Sequence, residues 1–252
     1  MLIGHAPPPG TFDDRAATYL RVRELEGRRY PDELVAGLPA VPRGHPLHAE
    51  WRARADSTRR LLNYLDGLPR PRTVVDVGCG CGWLAHRMAR LEGTRVWALD
   101  ATEPELEQAA RVFAGQPGLT FIHGDALASE PPVAHADVVV LAAAIQYFPD
   151  LPQLLRRLLS WLDDGGELHI LDSPFYAPSE VTAARARTRA YYDGLGVPEM
   201  AGAYHHHTRD DLAPFRPDYL YRPDGSSARA RRALRLPVSP FPWLRIRRVA
   251  NP

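Results

Sequence analysis

The chain has 252 residues, a formal net charge of +1, 45% hydrophobic residues and 24% charged residues. This length suits a single domain with a sizeable core, and this composition excludes an intrinsically disordered chain. Because the net charge is close to zero, no long-range field gathers nucleic acid or an anionic membrane, and we expect a small-molecule partner rather than either of these.

The first residues and the two cysteines predict a cytoplasmic protein. We expect it to be a monomer or a homodimer. Residues 1–10 lack a basic region followed by an apolar run, and no window reaches the ~18 apolar residues of a membrane span. The segment through Gly10 is interpreted as a loop. Cys79 and Cys81 lie too close together in a glycine-rich stretch for a structural disulfide, so we expect ordinary thiols.

Two helical patterns precede the first predicted strand. Apolar residues recur at helical spacing over residues 12–28, which include Tyr19, and over residues 48–66. A proline-rich stretch, residues 31–46, joins them. These patterns predict a helical cap over residues 1–72.

From residue 73 onward, strand and helix patterns alternate. Apolar and β-branched runs predict strands over residues 73–77, 95–100, 120–123, 136–142 and 167–172. Helical patterns cover residues 83–91, 103–114 and 151–162. This alternation is typical of an α/β fold, a doubly wound, mostly parallel sheet with helices on both faces.

The last third of the chain gives weaker patterns. A helix is predicted over residues 179–195, and Thr208 with Asp211 resembles a capping box that opens a short helix. Residues 219–222 and 243–249 are predicted strands, which bring the number of strands in the sheet to seven. We therefore expect an insertion between the fifth strand and the last two.

A glycine loop, Asp76-x-Gly78-x-Gly80-x-Gly82, follows the first strand of this alternation. A loop that leaves a parallel strand must turn sharply and let a ligand approach its backbone, which glycine allows. A dinucleotide site has the pattern Gly-x-Gly-x-x-Gly, but Trp83 occupies its third glycine position. The indole weakens the NAD interpretation without excluding it.

The glycine loop resembles motif I of class I (Rossmann-like) S-adenosylmethionine-dependent methyltransferases, of the type 11/12-like small-molecule group. The resemblance implies that S-adenosylmethionine is the cofactor and S-adenosylhomocysteine the product. It also implies that Asp76 and the loop amides hold the methionine part of the cofactor. These amides belong to Gly78, Cys79 and Gly80.

The resemblance extends through the following strands in the order expected of the family. Asp100 ends the second strand and would accept the ribose hydroxyls, with Ala101 beside it. Asp125 and the Ala126 amide, after the third strand, would bind the adenine. Each of these residues alone could be a turn residue. Because they occur together and in the expected order along residues 73–172, they favour the family.

Further residues complete the implied site. Ala142, at the end of the fourth strand, and Tyr19, in the first helix, join the cofactor-binding set. Tyr147 follows the fourth strand and would line both cofactor and acceptor, although core packing is an alternative. Asp172 ends the fifth strand and could face the pocket, whereas His169 is interpreted as a packing residue.

Methyl transfer from a sulfonium is an in-line displacement, so the protein has to align a nucleophile and exclude water. A base is needed only if the nucleophile arrives protonated. Ligands of open α/β sheets bind at the carboxyl ends of the strands. We therefore expect a cap over residues 1–72, a cofactor-binding core over 73–172, and an acceptor-covering insertion with the final strands over 173–252.

The segment Tyr204-His205-His206-His207 is the most unusual local feature. Three adjacent imidazoles cannot all face one site. His205 and His206, with Tyr147 and Asp172, are candidate catalytic residues, acting as a base or a hydrogen-bonding acceptor. Structural histidines and a metal site stay open as alternatives. Because no Glu or Cys stands at a recognisable ligand spacing, we predict no metal.

The C-terminal part is rich in arginine and aromatic residues. The arginines could clamp a carboxylate or phosphate of the acceptor, but a solvated face is favoured. The aromatic residues could line the acceptor pocket or fill the core. The arginines are Arg222, Arg229, Arg231, Arg232, Arg235, Arg245, Arg247 and Arg248. The aromatic residues are Tyr191, Tyr192, Tyr219, Tyr221, Phe241 and Trp243.

The sequence therefore predicts transfer of a methyl group from S-adenosylmethionine to a small-molecule acceptor, at an O, N or C atom. Two alternatives remain open. One is a non-methylating enzyme of the cyclase or decarboxylase type, and the other is a non-catalytic module on the same fold. A protein or nucleic-acid substrate is disfavoured, because no recognition module is present beyond the basic tail.

Overall fold

A computed structural model describes residues 2–4 and 12–249 of the protein. The strands are β1 (Leu2–Gly4), β2 (Arg72–Val77), β3 (Thr94–Asp100), β4 (Leu119–His123), β5 (Ala136–Ala142), β6 (Leu162–Leu171), β7 (Asp218–Tyr221) and β8 (Trp243–Arg247). The helices are α1 (Phe12–Leu25), α2 (Asp32–Gly37), α3 (His48–Asp66), α4 (Trp83–Ala89), α5 (Glu103–Val112), α6 (Leu151–Ser160), α7 (Val181–Gly194), α8 (Met200–Ala203) and α9 (Ser226–Ala233). Short 3-10 helices cover Ile145–Tyr147, Pro178–Glu180 and Asp210–Phe215.

The strands form one sheet in the order β1-β4-β3-β2-β5-β6-β8-β7. The pairings among β1 to β6 are parallel, and β8 runs antiparallel to both β6 and β7. All seven predicted strands are present, which confirms the mostly parallel α/β sheet. The additional strand β1 makes the sheet eight-stranded.

Three local predictions are wrong. Leu2–Gly4 is a strand paired in parallel with β4, not a loop, so the part before residue 72 is not wholly helical; the rest of the predicted loop, residues 5–10, lies outside the described residues. Helix α2 forms inside the proline-rich connection, where the Pro31 carbonyl accepts from the amides of Leu34 and Val35. Strand β6 begins earlier than predicted, because a register shift accommodates Gly165 with φ +80°.

The sheet is covered on both faces. Alternate residues of β5 point to opposite sides, so that Val138 and Val140 pack with one apolar cluster and Val139 and Leu141 with the other. Helices α3, α4 and α5 supply the first cluster, and the leucines of α6 supply the second. No helix among residues 12–249 is long and apolar enough to cross a membrane.

The topology creates a crevice beside β2. Strand β2 pairs with β3 on one side and with β5 on the other, so the connections that follow β2 and β5 leave the sheet in opposite directions. Open α/β sheets bind ligands at such a point, beside the carboxyl ends of the strands. A third apolar cluster lies outside the sheet and joins Val22 of α1 to Tyr192, Val197 and Met200 of the insertion. The N-terminal helix and the insertion therefore pack on each other.

Gly82 offers a direct test of how tightly the glycine loop is packed. We expect Gly82→Ala to lower the free energy of unfolding by about 2–4 kcal/mol, because Gly82 has φ +73° and a Cβ there would meet Phe121 Cε1 at 2.5 Å. Gly196 has the same φ but no atom within 4 Å of such a Cβ. Gly196→Ala is therefore the matched control and should cost only about 1 kcal/mol. Equal losses in urea denaturation would contradict the packing argument.

Candidate functional site

A cavity of about 930 Å³ lies at the carboxyl ends of the central strands. The glycine loop after β2 forms its floor, with Asp76, Gly78 and Gly80 among the lining residues. Helices α1, α3 and α7 close its sides. The cavity thus lies between the sheet, the N-terminal helices and the insertion, and its volume falls in the range of small-molecule sites.

The backbone of the glycine loop is folded back on strand β3. The amides of Gly78 and Cys79 both donate to the carbonyl of Leu99, at 2.8 and 3.2 Å. Gly78 has φ +74°, and a Cβ there would come within 2.6 Å of the Cβ of Ala144. A larger residue would therefore displace the chain that follows β5, so this position requires glycine.

Asp76 presents an unpaired carboxylate oxygen at the start of this loop. The residue is 1% exposed, and its Oδ2 has no hydrogen-bond partner within the described part of the chain. Burial, with a smaller contribution from the charge of Asp100, raises the pKa of Asp76 to about 7. A buried acceptor without a donor is costly, so the site suits a ligand that supplies one.

The surroundings of the loop are acidic. Burial raises the pKa of Glu105 to about 7, although Arg23 opposes the shift from 3.5 Å. Burial also raises the pKa of Asp100, whose Oδ2 accepts from the Gly80 amide at 2.7 Å. The charge of Asp100 raises the pKa of both Asp76 and Glu105, so the three carboxyl groups are close enough to interact, which favours a ligand that carries positive charge.

This charge distribution fits a cofactor with an ammonium and a sulfonium. The Oδ2 of Asp76 can accept from the ammonium of a methionine group, while the loop stays open to the approach of a ligand. The same carboxyl groups would repel the pyrophosphate of a dinucleotide. The structure therefore disfavours the NAD alternative more strongly than Trp83 does in the sequence.

Six of the residues predicted to bind the cofactor line the cavity. They are Tyr19, Asp76, Gly78, Cys79, Gly80 and Ala142. The structure thus brings the predicted methionine end of the site together. It joins residues from α1, the glycine loop and the end of β5.

The other four, Asp100, Ala101, Asp125 and Ala126, are not among the lining residues. Asp100 is held between the amides of Gly80 and Thr102, and Asp125 accepts from the Leu127 amide in a local turn. Ala126 is 3% exposed. The roles of these four residues toward ribose and adenine stay predictions.

The opposite wall of the cavity is a tyrosine chamber, formed by Tyr19, Tyr147, Tyr192 and Tyr204. Tyr19 and Tyr147 meet edge to face with ring centroids 5.3 Å apart, and Tyr204 stands 6.1 Å from Tyr147. Edge-to-face pairs of this kind rigidify an apolar pocket. The tyrosine chamber borders the glycine loop, so a ligand in one would touch a ligand in the other.

Asp172 follows β6 and lines the same cavity. Its φ is +51°, and Ala143 after β5 has φ +56°, so both strands end in a backbone conformation that is strained for these residues. Ser57 Oγ donates to Asp172 Oδ2 at 2.8 Å, and Ser239 Oγ donates to Oδ1 at 3.3 Å. Burial nevertheless raises the pKa of Asp172. The arrangement suits a carboxylate that accepts a proton.

The imidazoles of His205 and His206 are not among the residues that line this cavity, and the catalytic roles predicted for them stay predictions. His206 Nε2 is 2.8 Å from the hydroxyl of Thr188, and His205 holds the segment through its amide, which donates to the Gln146 carbonyl. The His207 ring contacts the Ile145 carbonyl at 2.9 Å. Tyr204 is the member of the segment that reaches the cavity.

Other candidates have structural partners. Arg231 bonds to Asp56, and Arg245 and Arg247 bond to Glu167, so the arginine tail forms no clamp at the cavity. Of the C-terminal aromatic residues, Tyr191, Tyr192 and Phe241 line the cavity. Cys79 and Cys81 are free thiols. Within residues 2–4 and 12–249, no cluster of His, Cys, Asp or Glu could hold a metal ion.

His169 lies in the interior and away from the cavity. It is 0% exposed, its Nδ1 accepts from the Trp243 indole at 3.1 Å, and its Nε2 lies 3.2 Å from Glu167 Oε2. These contacts give the ring a structural role, in keeping with the sequence interpretation.

Sequence reasoning missed many of the lining residues, among them Arg23, Glu105 and Arg187. Arg23 and Glu105 meet across the glycine loop from different helices, and no local pattern connects them. Arg187 lines the cavity beside Thr188. The alternation of arginines at residues 185, 187 and 189 is a visible signal, since Arg187 projects from α7 away from the face that Arg185 and Arg189 share.

Comparison with known proteins gives the following similarities. Residues 74–166 match a family model described as a methyltransferase domain. An uncharacterized methyltransferase of Mycobacterium tuberculosis (strain ATCC 25618 / H37Rv) is 39% identical over 106 residues, covering 42% of this chain and 52% of that protein. A trans-aconitate 2-methyltransferase of Mycobacterium tuberculosis (strain ATCC 25177 / H37Ra) is 34% identical over 141 residues, covering 54% and 52%. The chain thus spans about half the length of these relatives.

A solved structure shows a similar fold over nearly the whole chain. The geranyl diphosphate C-methyltransferase of Streptomyces coelicolor A3(2) superposes with a TM-score of 0.61, covering 96% of this chain and 100% of that chain. Its sequence identity is 16%, so this likeness concerns the fold alone.

Proposed function

We propose that the chain is a class I S-adenosylmethionine-dependent methyltransferase and that it transfers a methyl group from S-adenosylmethionine to a small-molecule acceptor. The observation that carries this proposal is one cavity that joins an acidic glycine loop to the tyrosine chamber. The loop suits a cationic cofactor, and the tyrosine chamber suits an apolar or aromatic acceptor. We retain the division into residues 1–72, 73–172 and 173–252 as part of the proposal.

The protein's part at the cofactor end is binding. Asp76 accepts from the methionine ammonium, the backbone of the glycine loop packs against the methionine part, and Tyr19 with Tyr147 excludes water beside the sulfonium. Asp100, Ala101, Asp125 and Ala126 complete the proposed set on the ribose and adenine side. When bound, S-adenosylmethionine supplies an electrophilic methyl group and departs as S-adenosylhomocysteine.

Two polar groups of the cavity could receive a hydrogen bond from the acceptor. Asp172 provides a carboxylate, and Gln146 Oε1 is a buried acceptor without a partner in the described residues. Arg187 lines the cavity and forms no ion pair with the residues that the structure describes, in contrast to Arg23, Arg28 and Arg54. An acceptor that carries a hydroxyl or an amine can therefore donate to Gln146 or Asp172 while its apolar part packs on tyrosine rings.

Asp172 is the proposed base. A hydroxyl has to lose its proton as its bond to the methyl carbon forms, and an ammonium has to lose one before its nitrogen can attack. The ionised carboxylate of Asp172 takes that proton in either case. The hydroxyls of Ser57 and Ser239 orient the carboxylate toward the cavity. Proximity and exclusion of water supply the rest of the acceleration.

The trans-aconitate 2-methyltransferase is named for a small organic acid, which agrees with a small-molecule acceptor. Because the chain spans about half of that protein, the agreement supports the class of acceptor and not its identity.

A metabolite screen tests this function. The purified chain is incubated with S-adenosylmethionine and pooled small molecules, and S-adenosylhomocysteine is measured by mass spectrometry. We expect acceptor-dependent formation of S-adenosylhomocysteine, together with a product heavier by one methylene. Consumption of an acceptor without S-adenosylhomocysteine would instead support a non-methylating enzyme, and cofactor binding without any turnover across the screen would support a non-catalytic module.

A further inference from the structure

A second cavity, of about 450 Å³, lies behind the histidine segment. Helix α7 supplies Arg185, Arg189 and Asp193 to its wall, and the segment after α8 supplies Tyr204, His205 and His206. Tyr204 is common to both cavities, so its ring separates the second cavity from the tyrosine chamber. Apart from Tyr204, none of the residues assigned above to methyl transfer lines the second cavity.

The wall of this cavity is positively charged. Arg185 and Arg189 are one helical turn apart, which brings their guanidinium groups to the same face of α7, and like charges at this spacing destabilise a helix. Neither forms an ion pair within the described residues. Asp193 is the one carboxylate that lines the cavity, so the two guanidinium groups leave an excess of positive charge.

The histidines add hydrogen-bonding capacity to this charge. Burial lowers the pKa of both His205 and His206, and the charge of Arg185 lowers both further. The positive charge of Arg15 also acts on His205, and that of Arg187 acts on His206. Neutral imidazoles here can each donate one N–H. A hydrogen bond between the Thr188 hydroxyl and Nε2 of His206 holds the His206 ring in place.

We propose that this second cavity binds a phosphate group, held by Arg185, Arg189 and the imidazoles of His205 and His206. Two guanidinium groups on one helix face offer parallel N–H donors that match phosphate oxygens. Because Arg185 and Arg189 are exposed, water screens most of their repulsion, and a bound anion would remove what remains. The proposal does not depend on methyl transfer, since it uses no residue of the glycine loop or of the tyrosine chamber except the shared Tyr204.

A phosphate group could reach this cavity from two sources. It could be a free phosphate or diphosphate, or it could be the phosphate end of a molecule whose remainder passes Tyr204 into the tyrosine chamber. The chemistry at the arginines is the same in both cases. The affinity for a phosphate with an attached apolar group distinguishes the two.

The test is a titration of the full chain with inorganic phosphate and with pyrophosphate, followed through the imidazole NMR signals of His205 and His206. We expect a saturable shift of both signals. The double variant Arg185→Ala/Arg189→Ala should weaken binding at least tenfold, whereas Arg185→Lys/Arg189→Lys should retain most of it, because lysine still binds phosphate as a point charge. Arg156→Ala, an exposed arginine of α6 that lines neither cavity, is the matched control.

The substituted residues are exposed arginines, so folding of each variant is verified by its thermal unfolding curve. Phenyl phosphate then separates the sources. Tighter binding than inorganic phosphate, lost in Tyr204→Trp, indicates a phosphorylated molecule that extends into the tyrosine chamber, and equal binding indicates a free anion. Unsaturable shifts, or equal affinities in the wild type and in Arg185→Ala/Arg189→Ala, would overturn the proposal.

Discussion

Replacing Asp76 with asparagine is expected to weaken binding of S-adenosylmethionine by about tenfold to a hundredfold. The carboxylate of Asp76 has one buried oxygen without a donor, and a hydrogen bond to a charged group contributes about 1.5–3 kcal/mol. Asparagine keeps the shape of the side chain but removes the negative charge that an ammonium requires. Isothermal calorimetry measures the change, with the exposed Asp210→Asn as the control.

The same substitution should stabilise the empty protein above neutral pH. Burial raises the pKa of Asp76 in the folded state to about 7. Between the ordinary aspartate pKa and about pH 7, the folded state therefore keeps a proton that the unfolded state has lost. The free energy of unfolding of the wild type therefore falls as pH rises through this range. Asp76→Asn removes that loss, so its melting temperature should exceed the wild-type value above neutral pH and approach it under acidic conditions.

Asp76→Asn is thus expected to lower the affinity for S-adenosylmethionine and to raise the melting temperature above neutral pH, whereas general damage to the fold would lower both. A variant that loses both affinity and stability would indicate that Asp76 supports the fold. Unchanged affinity with unchanged stability would show that the carboxylate is not at a ligand site at all.

The second large effect is expected from Asp172→Asn, which should lower kcat by about 10²–10⁴ while leaving cofactor affinity nearly unchanged. The asparagine Oδ1 can accept from one of Ser57 and Ser239 while its Nδ2 donates to the hydroxyl of the other, so the geometry of the strand end is preserved. It cannot take a proton from the acceptor. The measurement is steady-state turnover of the acceptor found in the metabolite screen.

The pH profile separates proton transfer from packing. Because burial raises the pKa of Asp172, wild-type activity should rise as pH passes that raised value, where the carboxylate becomes ionised. Ser57→Ala removes a hydrogen bond that favours the ionised form, so its profile should move to higher pH with a smaller loss of maximal rate. An Asp172→Asn variant with wild-type turnover, or a profile that Ser57→Ala leaves in place, would rule out this role.

The sequence predicted the fold well wherever the hydrophobic pattern was regular. The bounds of α3 and β5 agree with the prediction at both ends, since one has a clear helical period and the other is apolar throughout. The pattern failed at β1 and in the bulge of β6. A three-residue edge strand has too few residues to show a period, and a bulge interrupts one.

The candidate site was predictable only in part, for a related reason. The glycine loop and its Asp76 form a local motif, but the acidic cluster arises when Glu105 and Arg23 are brought to the loop by two different helices. The direction of His205 and His206 depends on Thr188 and on how the insertion packs against α1. Such long-range contacts have no counterpart in residue spacing.

Calorimetric titration of the purified chain with S-adenosylmethionine, S-adenosylhomocysteine and NAD tests the central claim most directly. We predict one site per chain for S-adenosylmethionine and S-adenosylhomocysteine, with affinity for S-adenosylmethionine that increases as pH rises through the pKa of Asp76, about 7. NAD should give no specific heat, since the loop carboxylates repel its pyrophosphate. Binding of NAD with no binding of S-adenosylmethionine would contradict the account.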